Sequence, residues 1–193
     1  MTRAHIKNIS HQYYSLVICE KPSVAKRISQ ALGTHYLQSK NNNLDKFSDQ
    51  DQKNRSSSPS SLPDTSSTLF TTVTWINGQN YIICHALGHL YGLSDSNKGP
   101  RRAFPVLDPS WLPLSITKGK GSSKFLALKI EKILREISQI SKSATGFIHA
   151  CDYDQEGEVI GYNILEHACD HKYSISKRAK FSSLTDEEII QSF

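Results

Sequence analysis

The feature that most constrains the fold of this chain is a short apolar run that ends in four closely spaced acids. Gly146 to Ala150 has the composition of a buried β-strand, and Asp152, Asp154, Glu156 and Glu158 follow it. Carboxylates at the carboxyl end of a strand occupy the edge where open α/β sheets place their binding sites. Like charges at this spacing repel one another, and a bound cation relieves the repulsion. The pattern therefore predicts a cation site at a sheet edge.

Three of these acids are predicted to share one side of the chain. Alternation along an extended backbone would bring Asp152, Asp154 and Glu156 together, and carboxylate oxygens are ligands that suit Mg²⁺. Gly157 would then allow a sharp turn into a helix over Glu158 to Ala168, with Val159 among its buried residues. The alternative is a solvated acidic turn that the helix dipole stabilises. The preceding strand and the number of acids favour the metal site.

A second strand near the N-terminus repeats the arrangement. Leu16 to Cys19 is fully apolar, Glu20 and Lys21 follow it, and Pro22 suits the first turn of a helix. If the two strands are parallel neighbours, their carboxyl ends meet at one edge. Glu20 would then face Asp152 and Asp154 across a single site.

The remaining segments complete an α/β pattern. Leu69 to Trp75 and Gln79 to Cys84 are β-rich runs separated by Asn77-Gly78, which is a strong hairpin signal. Ser23 to Leu32 and Ser122 to Ile140 have apolar residues at helical spacing. We therefore expect an α/β fold, with a mostly parallel sheet, helices on both faces and one β-hairpin.

Four motifs, spread in order over nearly the whole chain, carry a family resemblance. They are Glu20 to Ala25 (E-K-P-S-V-A), Ala86 to Leu93 around G-H-L, Asp152 to Glu158 (D-Y-D-Q-E-G-E) and Ala179 to Thr185 (A-K-F-S-S-L-T). Together they resemble the N-terminal Toprim domain of type IA DNA topoisomerases, most of all the topoisomerase III and archaeal branches. The family usually has Arg at the position of Gln155, so a DNA or phosphate contact of that side chain is not carried over to this chain.

The resemblance implies a Rossmann-like Toprim fold and a Mg²⁺-dependent, ATP-independent enzyme. Such an enzyme cuts one DNA strand, holds a 5′-phosphotyrosyl link, passes a strand and reseals the break. The resemblance implies Glu20 as the acid/base near the leaving 3′-hydroxyl and Lys21 as a contact to the scissile phosphate. It implies a metal site of Asp152, Asp154 and Glu156. The nucleophilic tyrosine lies in a later domain of this family, so none of the eight tyrosines here is assigned.

A basic region indicates the partner. Residues 98–142 carry ten Lys and Arg side chains against three acids, in a chain of net charge +5. An acidic site beside a basic surface is best explained by nucleic acid, and the resemblance implies a single-stranded DNA segment. The residues predicted to contact DNA are Lys21, His89, Lys118, Lys120 and Lys124. The alternative is a solvated helix face for the lysines and a structural role for His89.

Composition divides the chain. Ser, Asn, Asp and Gln dominate residues 38–68, which cannot bury enough apolar surface to offset their ordering entropy and are predicted to be a disordered insertion. The predicted ranges are an N-terminal extension over 1–14, the Toprim domain over 15–176 and the start of a following domain over 177–193. Thr185 to Glu188 is a capping box, and the chain stops barely two turns later. We expect a short, unpacked helix and missing C-terminal gate domains.

Other features exclude some classes of protein. The four cysteines form no C-x-x-C pair, so a zinc site is not expected. No apolar run reaches the length of a membrane helix, and residues 1–14 lack the apolar core of a signal peptide. Reduced thiols fit the cytoplasm, so we expect a cytoplasmic, nucleoid-associated protein, or a nuclear one in a eukaryote.

Two alternative functions stay open at this point. Another Toprim enzyme, such as a primase, a small nuclease or a 5S-rRNA maturase, would share the acid–strand pattern without the four motifs together. A non-catalytic nucleic-acid-binding fragment is the second alternative, and Gln155 favours it.

Overall fold

The structure is a computed structural model, and it describes residues 13–33, 35–36, 70–74, 78–95, 108–117 and 124–193. The strands are β1 (Ser15–Cys19), β2 (His35–Tyr36), β3 (Phe70–Thr74), β4 (Asn80–His85), β5 (Tyr91–Asp95), β6 (Pro109–Pro113), β7 (Gly146–His149) and β8 (Lys177–Arg178). The helices are α1 (Pro22–Leu32), α2 (Leu114–Thr117), α3 (Lys124–Ser141), α4 (Gln155–Asn163) and α5 (Asp186–Ser192). A π-helical turn, Ile164–Ala168, continues α4.

The main sheet has the strand order β2-β3-β4-β1-β7-β8. β1 lies in the middle and pairs in parallel with both β4 and β7, and β7 pairs in parallel with β8. β3 is antiparallel to β4, and β2 is antiparallel to β3. The expectation of a mostly parallel sheet is therefore confirmed, and the two acid-bearing strands are neighbours.

β1 is apolar because both of its faces are buried, as parallel sheets covered by helices require. Leu16 and Ile18 lie in one core cluster, which includes Ile133 of α3 and Ile160 of α4. Val17 and Cys19 lie in a second core cluster with residues of α1 and α5. Helices thus cover both faces of the sheet, as predicted.

The predicted hairpin is confirmed for the described part of it. β3 and β4 pair antiparallel from Phe70 opposite Cys84 to Thr74 opposite Asn80. Gly78 has φ +81°, a conformation that glycine adopts without a steric cost. β5 and β6 form a second, two-stranded antiparallel sheet that the sequence analysis did not predict.

One helix has its predicted start and another does not. α1 begins at Pro22, which was expected in the first turn of a helix. α4 begins at Gln155 rather than Glu158, so Gly157 lies inside the first turn and does not form a sharp turn before the helix. Val159 was predicted to be buried, but 36% of its surface is exposed because it lies on the outer side of α4.

The C-terminal segment packs on the main sheet. Ala179 and Phe181 are buried in the same core cluster as α1, and Ile189 of α5 is fully buried there. Arg27 of α1 forms an ion pair of 2.7 Å with Asp186 of α5. The prediction of an unpacked helix is therefore wrong. The division of the chain at residues 176 and 177 stays a prediction.

Several predicted features lie outside the described residues. They include residues 1–12 of the N-terminal extension, the whole of the 38–68 insertion, and Lys118 and Lys120. Where the structure describes the chain, no helix combines the length and the apolar character needed to span a bilayer.

Candidate active site at the carboxyl edge of the sheet

The acidic loop joins β7 to α4 and is held by the start of that helix. Asp154 is the N-cap residue, and its Oδ1 accepts a hydrogen bond of 2.7 Å from the backbone N–H of Gly157. A Cβ on Gly157 would stand 2.2 Å from the carbonyl oxygen of Asp152, so only glycine permits this close approach. The glycine thus lets α4 begin directly against the acidic loop.

Glu20 and Lys21 meet this loop from the neighbouring strand. The Lys21 Nζ lies 2.8 Å from Asp152 Oδ2 and 3.1 Å from Glu20 Oε1. The Glu20 side chain is buried, whereas half of the Lys21 side chain is exposed. The hydrogen bonds to Asp152 and Glu20 raise the pKa of Lys21 above its ordinary value. One ammonium group therefore bridges the two strand-end motifs, as their parallel pairing predicted.

His89 reaches the same loop from the segment between β4 and β5. Its Nε2 lies 3.4 Å from Glu156 Oε1, and both side chains are exposed. The backbone of this segment is tied to the end of β1, because the N–H of Ala86 donates to the carbonyl of Cys19 at 2.8 Å. The G-H-L motif thus lies beside the acids. We call Glu20, Lys21, Asp152, Asp154 and Glu156 the acidic cluster.

The acids do not alternate along an extended chain as predicted. Asp152 precedes α4, Asp154 caps it and Glu156 lies in its first turn. Asp152 therefore contacts Lys21, whereas Glu156 contacts His89. The alternation failed because the helix begins three residues earlier than the sequence analysis placed it.

A second group of charged side chains, which the sequence analysis missed, holds the backbone of the acidic loop. Arg178 Nη1 donates to the carbonyl oxygens of His149 and Cys151, both at 3.0 Å, and Nη2 donates to that of Asp152 at 2.9 Å. Arg178 Nε donates to Glu158 Oε2 at 3.0 Å. A single guanidinium thus donates to the carbonyl groups of Cys151 and Asp152, and adds a second donor to that of His149, which also accepts from the N–H of Ala179.

The surroundings of Glu158 complete this group. The Tyr173 hydroxyl donates to Glu158 Oε1 at 2.9 Å, and the buried His149 imidazole lies 3.6 Å from Glu158 Oε2. Burial and the nearby Arg178 lower the pKa of His149. The hydrogen bond from Tyr173 and the charges of His149 and Arg178 lower the pKa of Glu158 against its partial burial. We call His149, Glu158, Tyr173 and Arg178 the Arg178 cluster.

The predicted DNA contact Lys124 lies elsewhere. It is exposed at the start of α3 and lines a groove together with Tyr91, Leu128 and His167. None of the carboxylates of the acidic cluster lines that groove. The structure therefore brings together Glu20, Lys21 and Asp152, with His89 and Glu156 adjacent, and leaves Lys124 on a separate surface.

The acidic cluster suits a metal that also takes ligands from a substrate. Across the described ranges, no three His, Cys, Asp or Glu side chains are arranged to hold a metal ion by themselves. One oxygen of Asp152 and one of Asp154 take part in the contacts given above, and the second oxygen of each is outside those contacts. Mg²⁺ binds through one or two carboxylates plus phosphate and water. The donor set present therefore fits Mg²⁺.

The four cysteines do not add ligands to this edge. Cys19, Cys84, Cys151 and Cys169 are free and buried. Burial raises the pKa of each of these thiols. Neutral, buried thiols of this kind behave as small core residues.

Comparisons with known proteins identify the family of the chain. The family model described as the Toprim domain matches residues 15–184, and domains of this family bind metal ions, generally Mg²⁺. The chain is 32% identical to the DNA topoisomerase 1 of Methanocaldococcus jannaschii, over 93% of this chain and 19% of that protein. It is 34% identical to the DNA topoisomerase 1 of Pyrococcus furiosus, over 92% of this chain and 14% of that protein. The chain therefore spans about a fifth of the length of these relatives or less, and by the match over residues 15–184 it belongs to the Toprim domain family.

Proposed function

We propose that this chain is the Toprim part of a type IA DNA topoisomerase. The observation that carries the proposal is the Lys21 ammonium between Glu20 and Asp152, because it joins two strand-end motifs into one charged site. The similarity to proteins named DNA topoisomerase 1 supports it. In this proposal, residues 177–193 lead into gate domains, and one of those domains supplies the tyrosine that attacks DNA.

The proposed chemistry begins with Lys21 and Glu20. The tyrosine hydroxyl loses its proton to solvent as its oxygen attacks the scissile phosphorus, and the bond from phosphorus to the 3′ oxygen breaks. Lys21 contacts the phosphate and stabilises the charge that develops on it. Glu20 gives a proton to the leaving 3′ oxygen and takes it back when the strand is resealed. For this step Glu20 must start as the neutral carboxylic acid, and its buried side chain lies beside the Lys21 ammonium that would contact the phosphate.

Asp152 and Asp154 would hold Mg²⁺, and Glu156 would complete the set of acids. The ion would supply positive charge that neutralises the phosphate oxygens. Lys21 contacts Asp152 in the structure, so it must leave that carboxylate before it can contact the phosphate. The exchange is cheap because Lys21 is half-exposed, and exposed ion pairs contribute only about 0–1 kcal/mol. His89, with its Nε2 beside Glu156, would contact the DNA at the edge of the acidic cluster.

The test joins this chain to the missing part of the enzyme. In a chimera, the chain replaces the matching segment of the Methanocaldococcus jannaschii relative, and labelled single-stranded oligonucleotide is analysed on a denaturing gel. The isolated chain should bind the oligonucleotide without a covalent adduct, and the chimera should form one with Mg²⁺. Glu20→Ala and Lys21→Ala should slow cleavage more than they weaken binding, because both act on charge that develops in the transition state.

Lys26→Ala is the matched control for Lys21→Ala, since Lys26 is exposed on α1 away from the acidic cluster. A covalent adduct formed by the isolated chain would contradict the proposal. Metal-dependent cleavage that leaves free ends would point instead to a Toprim nuclease. DNA binding without cleavage by the chimera would point to a non-catalytic fragment.

A further inference from the structure

Tyr153 is a large aromatic side chain held at the surface of the acidic loop. It lies between Asp152 and Asp154, and 60% of its surface is exposed. Its ring centroid is 5.3 Å from the Arg178 guanidinium carbon and 5.7 Å from Lys180 Nζ. Both distances are within the range of cation–π contacts, about 6 Å. The ring therefore lies against two cations while much of it remains open to solvent.

Arg178 orients the ring because it is itself fixed. Its guanidinium donates to carbonyl oxygens of the acidic loop and to Glu158, and only 16% of its side chain is exposed. Lys180, in contrast, is exposed next to the buried Ala179. An oriented aromatic surface with an exposed cation beside it is the arrangement that binds single-stranded nucleic acid: the ring stacks on a base, and the cation contacts the backbone.

We propose that Tyr153 and Lys180 form a stacking platform that takes one base and one phosphate of a single-stranded DNA segment. The inference rests on the proposed function, which supplies DNA as the ligand, and it adds a subsite on the side of the acidic loop away from Lys21. Tyr153 and Lys180 lie within two of the four motifs, but neither was among the residues predicted to contact DNA or metal.

The order of the strands places this platform on the path of one DNA strand. Lys21 follows β1 and Lys180 follows β8, and these two strands flank β7. Lys21 and Lys180 are therefore separated by two strand spacings, about 10 Å, across the sheet. A few nucleotides cover such a span, since stacked nucleotides rise about 3.4 Å each. A strand with its phosphate at Lys21 thus reaches Tyr153 with a neighbouring base.

Affinity for a labelled single-stranded oligonucleotide tests the platform in the full 193-residue chain. Tyr153→Ala should weaken binding about tenfold, which is the usual loss when a stacked base loses its aromatic partner. Tyr153→Phe should bind as the wild type does, because the ring is retained. Tyr13→Ala is the matched control, since Tyr13 is 84% exposed but precedes β1 at the opposite edge of the sheet. Lys180→Ala should reduce the slope of log affinity against log salt by about 1.

A second readout locates the base. An oligonucleotide that contains 5-iodouracil should cross-link under ultraviolet light to the peptide with Tyr153, and the cross-link should disappear in Tyr153→Leu. Equal affinity and salt slope for wild type, Tyr153→Ala and Lys180→Ala, or a cross-link elsewhere, would overturn the platform while leaving the proposed function intact. Failure of the wild-type chain to bind the oligonucleotide at all would instead overturn the proposed function, and the platform with it.

Discussion

The acidic cluster and the Arg178 cluster lie on the same loop but differ in how their charges are satisfied. In the acidic cluster, Lys21 and Asp152 are partly exposed and share one ion pair of 2.8 Å. In the Arg178 cluster, the guanidinium is largely buried and donates to Glu158 and to several carbonyl groups. Salt bridges at the surface contribute little and exchange partners easily, whereas a buried and fully bonded group is costly to disturb.

The difference teaches how one short loop can be both fixed and reactive. Its backbone is held by Arg178 from one side, so the positions of Asp152 and Asp154 do not depend on their own weak contacts. The Asp152 carboxylate can therefore exchange its lysine partner for another cation without a change in the backbone of the loop. The following substitutions separate the two clusters, from the largest expected effect on stability to the smallest.

Arg178→Met should be the most damaging change. It removes the guanidinium donor from the carbonyl oxygens of Cys151 and Asp152 and one of the donors to Glu158. We expect a loss of about 3 kcal/mol in the free energy of unfolding, measured in urea. Arg135→Met is the matched control, because Arg135 is exposed and, among the residues that the structure describes, forms its ion pair with Glu131 at 3.4 Å. Equal losses in the two variants would show that the Arg178 cluster does not hold the loop.

Gly161→Ala should be the next most damaging. A Cβ at this position would stand 2.2 Å from the His149 ring, which is buried and has no room to withdraw. Overpacking of this kind costs about 1–3 kcal/mol, again measured in urea. The cost should shrink when His149→Ala removes the ring. An undiminished cost in the double variant would mean that the clash is not with His149.

The pH dependence of stability should depend on His149. Its pKa is lowered in the folded state by burial and by Arg178, although Glu158 acts in the opposite direction. The unfolded chain therefore binds the proton more readily, so the contribution of His149 is complete above about pH 6.5 and is lost as the pH falls below that value. His149→Gln should flatten the dependence of the unfolding midpoint between pH 7.5 and 5. An unchanged profile would contradict this assignment.

Lys21→Met should have the smallest effect on stability, a loss below about 1 kcal/mol without metal. It also leaves Glu20 and Asp152 as neighbouring like charges, which a cation relieves. Mg²⁺ should therefore raise the melting temperature of Lys21→Met more than that of wild type. Lys26→Met is the control and should respond as wild type does. Identical responses in all three proteins would place Mg²⁺ away from the acidic cluster.

The sequence was most informative where apolar runs end in acids. β1 and β7 are continuous apolar runs, and their pairing follows from the parallel α/β pattern, so the meeting of Glu20 and Asp152 could be predicted. The start of α4 was misjudged although a signal was present: Asp154 is a favoured N-cap residue, and Glu156 and Glu158 are typical of a first turn.

Other features had no usable local signal. β8 has two residues, too few to show any periodicity, and the role of Arg178 exists only because β8 pairs with β7. β6 was missed because it begins and ends in proline, which argues against a strand except at an edge. No sequence pattern predicts the orientation of Tyr153, since its ring is positioned by Arg178 and Lys180.

The position of β1 in the middle of the sheet has a consequence for folding during synthesis. β1 is made well before its partner β7, which begins at Gly146, and the Lys21–Asp152 contact spans 131 positions. Chains are synthesised at about 5–20 residues per second. One edge of this apolar strand therefore stays unpaired for several seconds, until β7 has been made. Such edges pair readily with other chains. The same strand order that delays the charged site until β7 is made thus leaves the nascent chain prone to aggregation before β7 emerges.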